Sequence, residues 1–197
     1  MGLTGLQADD FILAITASDN TTGPAFITNN PDFAGWTSIE TNVSVGAIMQ
    51  YTFATGSTYT ASLAPKATAS ASAVGLVAFR NVNTTTPILD SNIKSTVSLN
   101  PVPTDPVNPG AVTGATVVAG LMLDDDGTTV FGPTGYTDMG QIIADPNFPG
   151  STGNNATVCI SYKSDIAAST NENGDGFSLP PGISDAAQTL SFILNPA

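Results

Sequence analysis

The chain has 197 residues, 41% of them hydrophobic and 10% charged, and a net charge of −12 against which stand only Lys66, Arg80, Lys94 and Lys163. Four scattered cations cannot build the basic stripe that phosphate binding needs, so nucleic acid is excluded as a partner; no apolar run is long enough for a membrane-spanning helix either. There is no His, which removes the Ser-His-acid triad, the imidazole general base and imidazole metal ligation together.

At the start of the chain, Met1-Gly-Leu-Thr-Gly5 has neither a basic n-region nor an apolar h-region. No secretory signal is read there, and Leu6 breaks the myristoylation pattern. Phe11, Leu13, Ile15 and Ala17 alternate with Ile12, Ala14 and Thr16, which predicts a strand over 8–18 buried on one face and partly on the other. Val45, Ala47, Met49, Tyr51 and Phe53 keep a period of two. A shorter strand is expected over 58–63, and Val74 to Phe79 reads as a buried central strand. Another short strand is expected over 94–99.

Asn100 to Gly110 holds Pro101, Pro103, Pro106 and Pro109, too many for a central strand, so 100–110 is expected to be an extended crossover. Strands follow over 114–123, 136–143 and 157–163, and Leu190 to Leu194 reads as a second buried central strand. Long loops are expected over 145–155 and 171–176. The best helical window, Ile183 to Leu190, is short and follows Pro180-Pro181-Gly182, so it should form no more than a turn.

The second half echoes the first in order. Ala8 to Asn20 matches Gly114 to Asp126, and Gly35-Trp36-Thr37 matches Gly135-Tyr136-Thr137. Val45 to Tyr51 matches Thr157 to Tyr162, and Leu76 to Asn81 matches Leu190 to Asn195. Two units are too few for a solenoid. The expectation is an all-β fold, an antiparallel two-sheet sandwich of jelly-roll type, forming a single domain over 1–197 from half-repeats 8–99 and 111–197.

Chemistry-bearing residues are few. Cys159 lies in an apolar strand without an imidazole partner and is read as a small buried hydrophobe. Asp9-Asp10 and Asp124-Asp125-Asp126 are paired acids, but neighbouring strand residues point to opposite faces, so a facing glycosidase pair is not expected and no enzyme is predicted. Asn171, Asn173 and Asp175 fit three positions of a calcium loop. Gly182 stands where the bidentate Glu belongs, so a plain loop outweighs a structural calcium site, and no cofactor is expected. Trp36 and Tyr136 are read first as core plugs and second as sugar-stacking platforms. Arg80 is expected to fix the turn from Asn81 to Thr86 through backbone carbonyls.

Gly35-Trp36-Thr37 together with Ala78-Phe79-Arg80-Asn81-Val82-Asn83-Thr84-Thr85-Thr86-Pro87-Ile88-Leu89-Asp90 resembles a β-sandwich module of tailed-bacteriophage virion proteins. There a Gly-Trp-Thr triplet precedes an Ala-Phe-Arg-Gly-Val-Asp strand and a Thr-x-Pro-Ile-Asp turn. Here Asn81 replaces the Gly, Asn83 replaces the Asp, and Leu89 intervenes before Asp90. The resemblance implies a non-enzymatic virion protein, made in the host cytoplasm and carried on the particle surface. A capsid decoration protein held by the major capsid protein is the first expectation, with the alternative a tail-tip or tail-fibre module that binds a host surface glycan. Pro101, Pro103 and Pro106 are expected as docking contacts, Trp36 and Tyr136 as glycan contacts, and a homo-oligomer is compatible with either. Removing Val102 to Asn108 is expected to leave a folded domain.

Overall fold

The computed structural model describes residues 2–18, 35–42, 47–60, 72–97, 99–123, 129–144, 156–181 and 186–197. In chain order the strands are β1 (Gly2–Thr4), β2 (Phe11–Ser18), β3 (Thr37–Asn42), β4 (Ala47–Phe53), β5 (Thr58–Thr60), β6 (Ser72–Phe79), β7 (Ile88–Val97), β8 (Ala115–Leu123), β9 (Thr137–Ala144), β10 (Ala156–Ile166) and β11 (Ala186–Leu194). There is no helix among the described residues. The strands form three antiparallel sheets: a five-stranded sheet β7-β11-β8-β10-β9, a four-stranded sheet β3-β4-β2-β6, and a ribbon β1-β5. The all-β expectation therefore holds. The predicted loop at 145–155 and the acids at 124–126 lie outside the described residues, as do residues 183–185 of the window 183–190 read as a turn. The rest of that window is corrected, because Ala186 to Leu190 form the first half of β11, paired with β7 and β8.

Each half of the chain lays its strands down in one order. The order β3-β4-β2-β6 reappears as β9-β10-β8-β11, with β7 added beyond β11. The register repeats as well. Thr37 pairs with Tyr51 and Ser38 with Gln50, then Ile39 is skipped and Glu40 meets Met49. In the second half Thr137 pairs with Tyr162 and Asp138 with Ser161, then Met139 is skipped and Gly140 meets Ile160. A bulge thus falls at the third residue of both strands, and bulges of this kind re-aim one side chain and tighten the local twist. Before each strand a glycine turns in the left-handed region, Gly35 at φ 84° and Gly135 at φ 82°; a side chain at either would strain that turn.

Register also corrects the sequence alignment of the halves. Tyr51 pairs with Leu13, and Tyr162 pairs with Val118. Leu13 therefore corresponds to Val118, whereas aligning Ala8 with Gly114 sets it against Ala119. A one-residue slip moves a side chain to the other face of its sheet. Leu13 and Val118 both enter one shared core, while Ala119 belongs to a different cluster.

That shared core joins the two larger sheets. Phe11, Leu13, Ile15 and Met49 enter it from the four-stranded sheet, and Val118, Met122, Ile160 and Phe192 from the five-stranded one. Phe11 anchors an aromatic group, with Tyr51 stacked at 4.8 Å and Phe53 and Phe79 edge-on at 5.8 and 6.5 Å. Such geometries add about 0.5–1.5 kcal/mol per pair beyond area burial. Strand β6, read from its apolar run as central, stands at the end of its sheet order with Leu76 to Phe79 half-buried. Its hydrophobicity serves the facing sheet rather than two flanking strands.

Both sheets are also covered on their outer faces, which is why β2 and β8 are apolar on both sides and β11 buries Gln188, Thr189 and Ser191 along with its apolar residues. Behind the four-stranded sheet, Ile12 packs with Leu6 and Ala54, flanked by Leu3, Trp36 and Tyr59. Behind the five-stranded sheet lie the crossover 100–110 and the segment 172–179, held together by paired bridges Val102–Phe177 and Val107–Glu172. Val102, Phe177, Leu121 and Cys159 form one cluster there, and Val107, Val117, Ile166 and Ile193 another. The crossover's polar groups are used too. Thr189 Oγ1 donates to Pro103 O at 2.7 Å, Asn92 Nδ2 to Pro106 O at 2.5 Å, and the Asn108 N–H to Asp90 Oδ2 at 2.9 Å.

The crossover is thus a lid on the core, and the expectation that 102–108 can be removed without unfolding is corrected. Val102 and Val107 are each 1% exposed, and deleting them would open two apolar clusters to water. Deletion of 102–108 should abolish cooperative unfolding. Phe177→Ala, at a fully buried ring on the same seam, should lower the unfolding free energy by about 3–5 kcal/mol in urea titrations. A Phe177→Ala protein of unchanged stability would contradict the lid.

Candidate functional site

The motif that carries the phage resemblance ends β6 and leads into β7. Arg80 Nη2 donates to Gly5 O at 2.7 Å, and its Nε lies 3.4 Å from Asp10 Oδ2. The same carboxylate oxygen accepts the Gln7 N–H at 2.8 Å, and Asp10 is 4% exposed. Arg80 therefore fastens the 5–10 turn to β6, and not the 81–86 turn as expected. The latter is closed by Asn83, whose Oδ1 accepts the Thr85 and Thr86 N–H groups at 2.9 Å each. Asn81 sits at φ 57°. Asn is among the few residues other than glycine that tolerate this region, and the motif that the sequence resembles carries glycine at this position.

Residues 81–83 run beside 195–197 as a short spine. The Ala197 N–H donates to Asn81 O at 2.8 Å, the Asn83 N–H to Asn195 O at 2.9 Å, and Val82 bridges Pro196. Two hollows border this spine. One, of about 280 Å³, is bounded by Phe79, Tyr162, Ser164 and Asp165. The other, of about 370 Å³, is bounded by Gln7, Asp9, Asn83 and Thr85. Arg80, Asn81 and Val82 line both. Nothing in the linear pattern marks this place, because its walls come from five separated stretches of chain.

The aromatic candidates are held in structural settings. Trp36 is half-buried against the cluster behind the four-stranded sheet, its ring 5.4 Å from that of Tyr59. Tyr136 is half-buried between the two clusters behind the five-stranded sheet. Burial first, then the Glu172 carboxylate, push its phenol up to about 12. Trp36 and Tyr136 thus stand on opposite outer faces and share no site. Of the prolines, Pro101 and Pro106 are exposed and Pro103 is half-buried.

In the loop 171–176, Asn171 Oδ1 accepts from Asn108 Nδ2 at 2.6 Å. Asp175 takes the Thr134 N–H on one oxygen at 2.7 Å and the Thr134 hydroxyl on the other at 2.5 Å. Those hydrogen bonds hold the Asp175 carboxyl below its usual range. Asn171 and Asp175 therefore face different segments, Asn108 and Thr134, while Asn173 lies between them in the chain and also has a partner. Among the described residues no group of three or more acidic, Cys or His side chains gathers to hold a metal ion. Cys159 is 1% exposed, and burial first, then the Asp138 carboxylate, push its thiol up to about 12 against opposing hydrogen bonds from Ser161 and Ile160.

One surface feature went unread in the sequence. Among the described residues the exposed large apolar side chains are Leu99, Phe131, Met139 and Ile142. Met139 and Ile142 lie on β9, which ends the five-stranded sheet. The segment carrying Phe131 is tied to the outer side of β9, since the Val130 N–H donates to Gln141 Oε1 at 2.8 Å and the Gly132 N–H reaches Asp138 Oδ2 at 3.4 Å. Gln141 pairs with Cys159 of the outer cluster, whereas Ile142 pairs with Val158 of the core between the sheets and so lies on the opposite face. Phe131 is 60% exposed. The signal was present as the bulge, which turns Met139 out of the alternation.

Comparison with protein-family models, curated proteins and solved structures gives no match.

A half-buried phenol and a buried thiol, both with raised pKa values, make the fold sensitive to alkali. Folded Tyr136 and Cys159 hold their protons up to about 12, against ordinary values of 10.0 and 9.0. Between those limits the folded chain binds more protons than the unfolded one, so stability is complete below about pH 9 and falls as pH rises towards 12. Urea midpoints measured from pH 8 to 11 should decline, and less steeply in a Tyr136→Phe/Cys159→Ala double variant. At pH 8 a thiol reagent should label Cys159 only after unfolding; rapid labelling of the native protein would contradict its burial.

Proposed function

We propose that this chain is a non-enzymatic structural protein of a tailed-phage particle, a decoration protein held on the outside of the capsid by the major capsid protein. The observation that carries the reading is the apolar border of β9. Two of the four exposed large apolar side chains among the described residues, Met139 and Ile142, lie on the terminal strand of one sheet, and a third, Phe131, belongs to a segment hydrogen-bonded to that strand. A terminal strand offers backbone donors and acceptors to an incoming strand, and apolar neighbours give such an addition its specificity. The reading rests besides on the resemblance of the 78–90 motif, in which Asn81, at φ 57°, stands where the motif has glycine.

In this reading the two larger sheets are the layers of one sandwich domain over 1–197. The repeated strand order and the repeated bulge favour an origin from two copies of one unit, 8–99 and 111–197. The acidic surface keeps the protein from binding nucleic acid while the particle fills. Each described cation has a carboxylate partner: Arg80 with Asp10 at 3.4 Å, Lys94 with Asp105 at 2.7 Å and Lys163 with Glu172 at 2.9 Å. Attachment therefore rests on backbone pairing and apolar contact, and it resists moderate salt, since screening weakens chiefly exposed charge pairs.

Quantitative sedimentation with purified capsids tests this. The wild-type chain should bind in copies matching the capsid lattice, with little loss between low and moderate salt. A Phe131→Ser/Met139→Ser/Ile142→Ser variant should lose attachment by tenfold or more while its melting temperature stays within a few degrees, as exposed substitutions usually allow. Full occupancy by the triple variant would overturn the docking edge. A wild-type protein that ignores capsids and occurs in a handful of copies at the tail would replace decoration by the tail-module alternative.

A further inference from the structure

We propose that the two hollows beside the 81–83 spine form one groove that binds a neutral oligosaccharide, independently of how the particle is gripped. The hollows adjoin through Arg80, Asn81 and Val82, so an elongated ligand crossing the spine would touch both. The wall of the smaller hollow carries Phe79 and Tyr162, whose rings meet edge-on at 6.2 Å. Around them stand Asn81, Ser164 and Asp165. An aromatic surface ringed by short amide, hydroxyl and carboxylate groups is the chemistry that recognises a sugar, whose ring faces are apolar and whose rim is hydroxyl.

Charge selects among sugars. Arg80 already serves Asp10 and Gly5 O. Asp9 and Asp165 line the hollows with no ion-pair partner among the described residues. In a chain of net charge −12, uronic, sialylated or phosphorylated glycans would meet two uncompensated carboxylates, whereas a neutral glycan finds acceptors for its hydroxyls.

The groove is also preset. Asp9, Asn81, Asp165 and Ser169 are the described non-glycine residues at positive φ, and the first three of them line it. Held in an uncommon backbone region, their side chains project from fixed positions, and such outliers cluster where ligands are clamped. The spine's backbone bonds hold the middle of the groove in the same way, so little ordering remains to be done on binding.

The groove can be tested without harming the fold, because glycine adopts positive φ freely. An Asn81→Gly/Asp165→Gly variant removes two polar contacts and should melt at or near the wild-type temperature. Calorimetry of the full chain against neutral hexose and N-acetylhexosamine oligomers should find a ligand whose affinity changes less than twofold between low and moderate salt. The double variant should bind it at least tenfold more weakly. Uronic-acid and phosphorylated oligomers should bind at least tenfold more weakly than their neutral analogues. No neutral oligomer bound at millimolar concentration, or affinity unchanged in the variant, would overturn the assignment. So would preferential, salt-sensitive binding of a Lys-rich peptide, which would make the groove a carboxylate site for cations. Capsid sedimentation of the same variant should be normal, so failure here leaves the attachment edge standing.

Discussion

The close approach of the two large sheets at Gly120 is the contact on which the rest of the molecule depends. Gly120 on β8 lies between Ile160 on β10 and Leu190 on β11. Its counterpart Ile15 on β2 lies between Met49 on β4 and Gly75 on β6. A methyl group built at Gly120 would run into the Met49 methyl and come within 2.7 Å of Ile15 Cδ1. At Gly75 it would meet Ile15 Cγ2 at 3.1 Å and Ile160 Cδ1 at 3.4 Å. Each sheet thus offers a gap where the other offers a branch. Interiors packed to crystal-like density tolerate neither two branches nor two gaps at such a point.

This complementarity explains how two similar halves make an asymmetric core. If both halves carried Ile at the shared position, the side chains would compete for one space. Ile15 in one half and Gly120 in the other remove that conflict while the strand order and the bulges stay common. The second difference is β7, which leaves the first half and pairs with β11. It carries the chain from β6 to the crossover, and the crossover then lies over the five-stranded sheet as a third layer. The lid, the sheets and the Arg80 turn consequently stabilise one another, for Asp90 on β7 holds Asn108 and Asn195 Nδ2 holds Thr86 O.

Much of this was legible in residue patterns. Alternation located β2, β4 and β10, and apolar runs located β8 and the second half of β11; the first half of β11, which carries Gln188 and Thr189, fell in a window read as a turn. The internal echo was visible because Gly-aromatic-Thr turns and Tyr51/Tyr162 sit at equivalent register positions. Its phase was not, because β2 and β8 are apolar on both faces and period-two signals cannot then say which face is which. Strand β3 escaped because Thr37-Ser-Ile-Glu-Thr-Asn42 is polar and bulged, and β1 because three residues give no period. The crossover was misjudged for a different reason. Its prolines exclude it from a sheet, yet Val102 and Val107 between them are core residues, and only the fold shows what they cover. The groove at Arg80 could not have been read at all, since β6, β8, β10, β11 and the 5–10 turn meet there only in three dimensions.

Urea unfolding of four proteins, the wild type, Gly120→Val, Met49→Ala and the pair combined, tests the central contact most directly. Gly120→Val should cost about 1–3 kcal/mol by overpacking and Met49→Ala about 2–5 kcal/mol by leaving a void. Because the new Val would occupy the volume that Met49 vacates, the combined variant should be more stable than the sum predicts by about 0.5–3 kcal/mol. Effects that add to within about 0.5 kcal/mol, the behaviour of distant sites, would mean that β4 and β8 do not meet at Gly120 and would contradict the account.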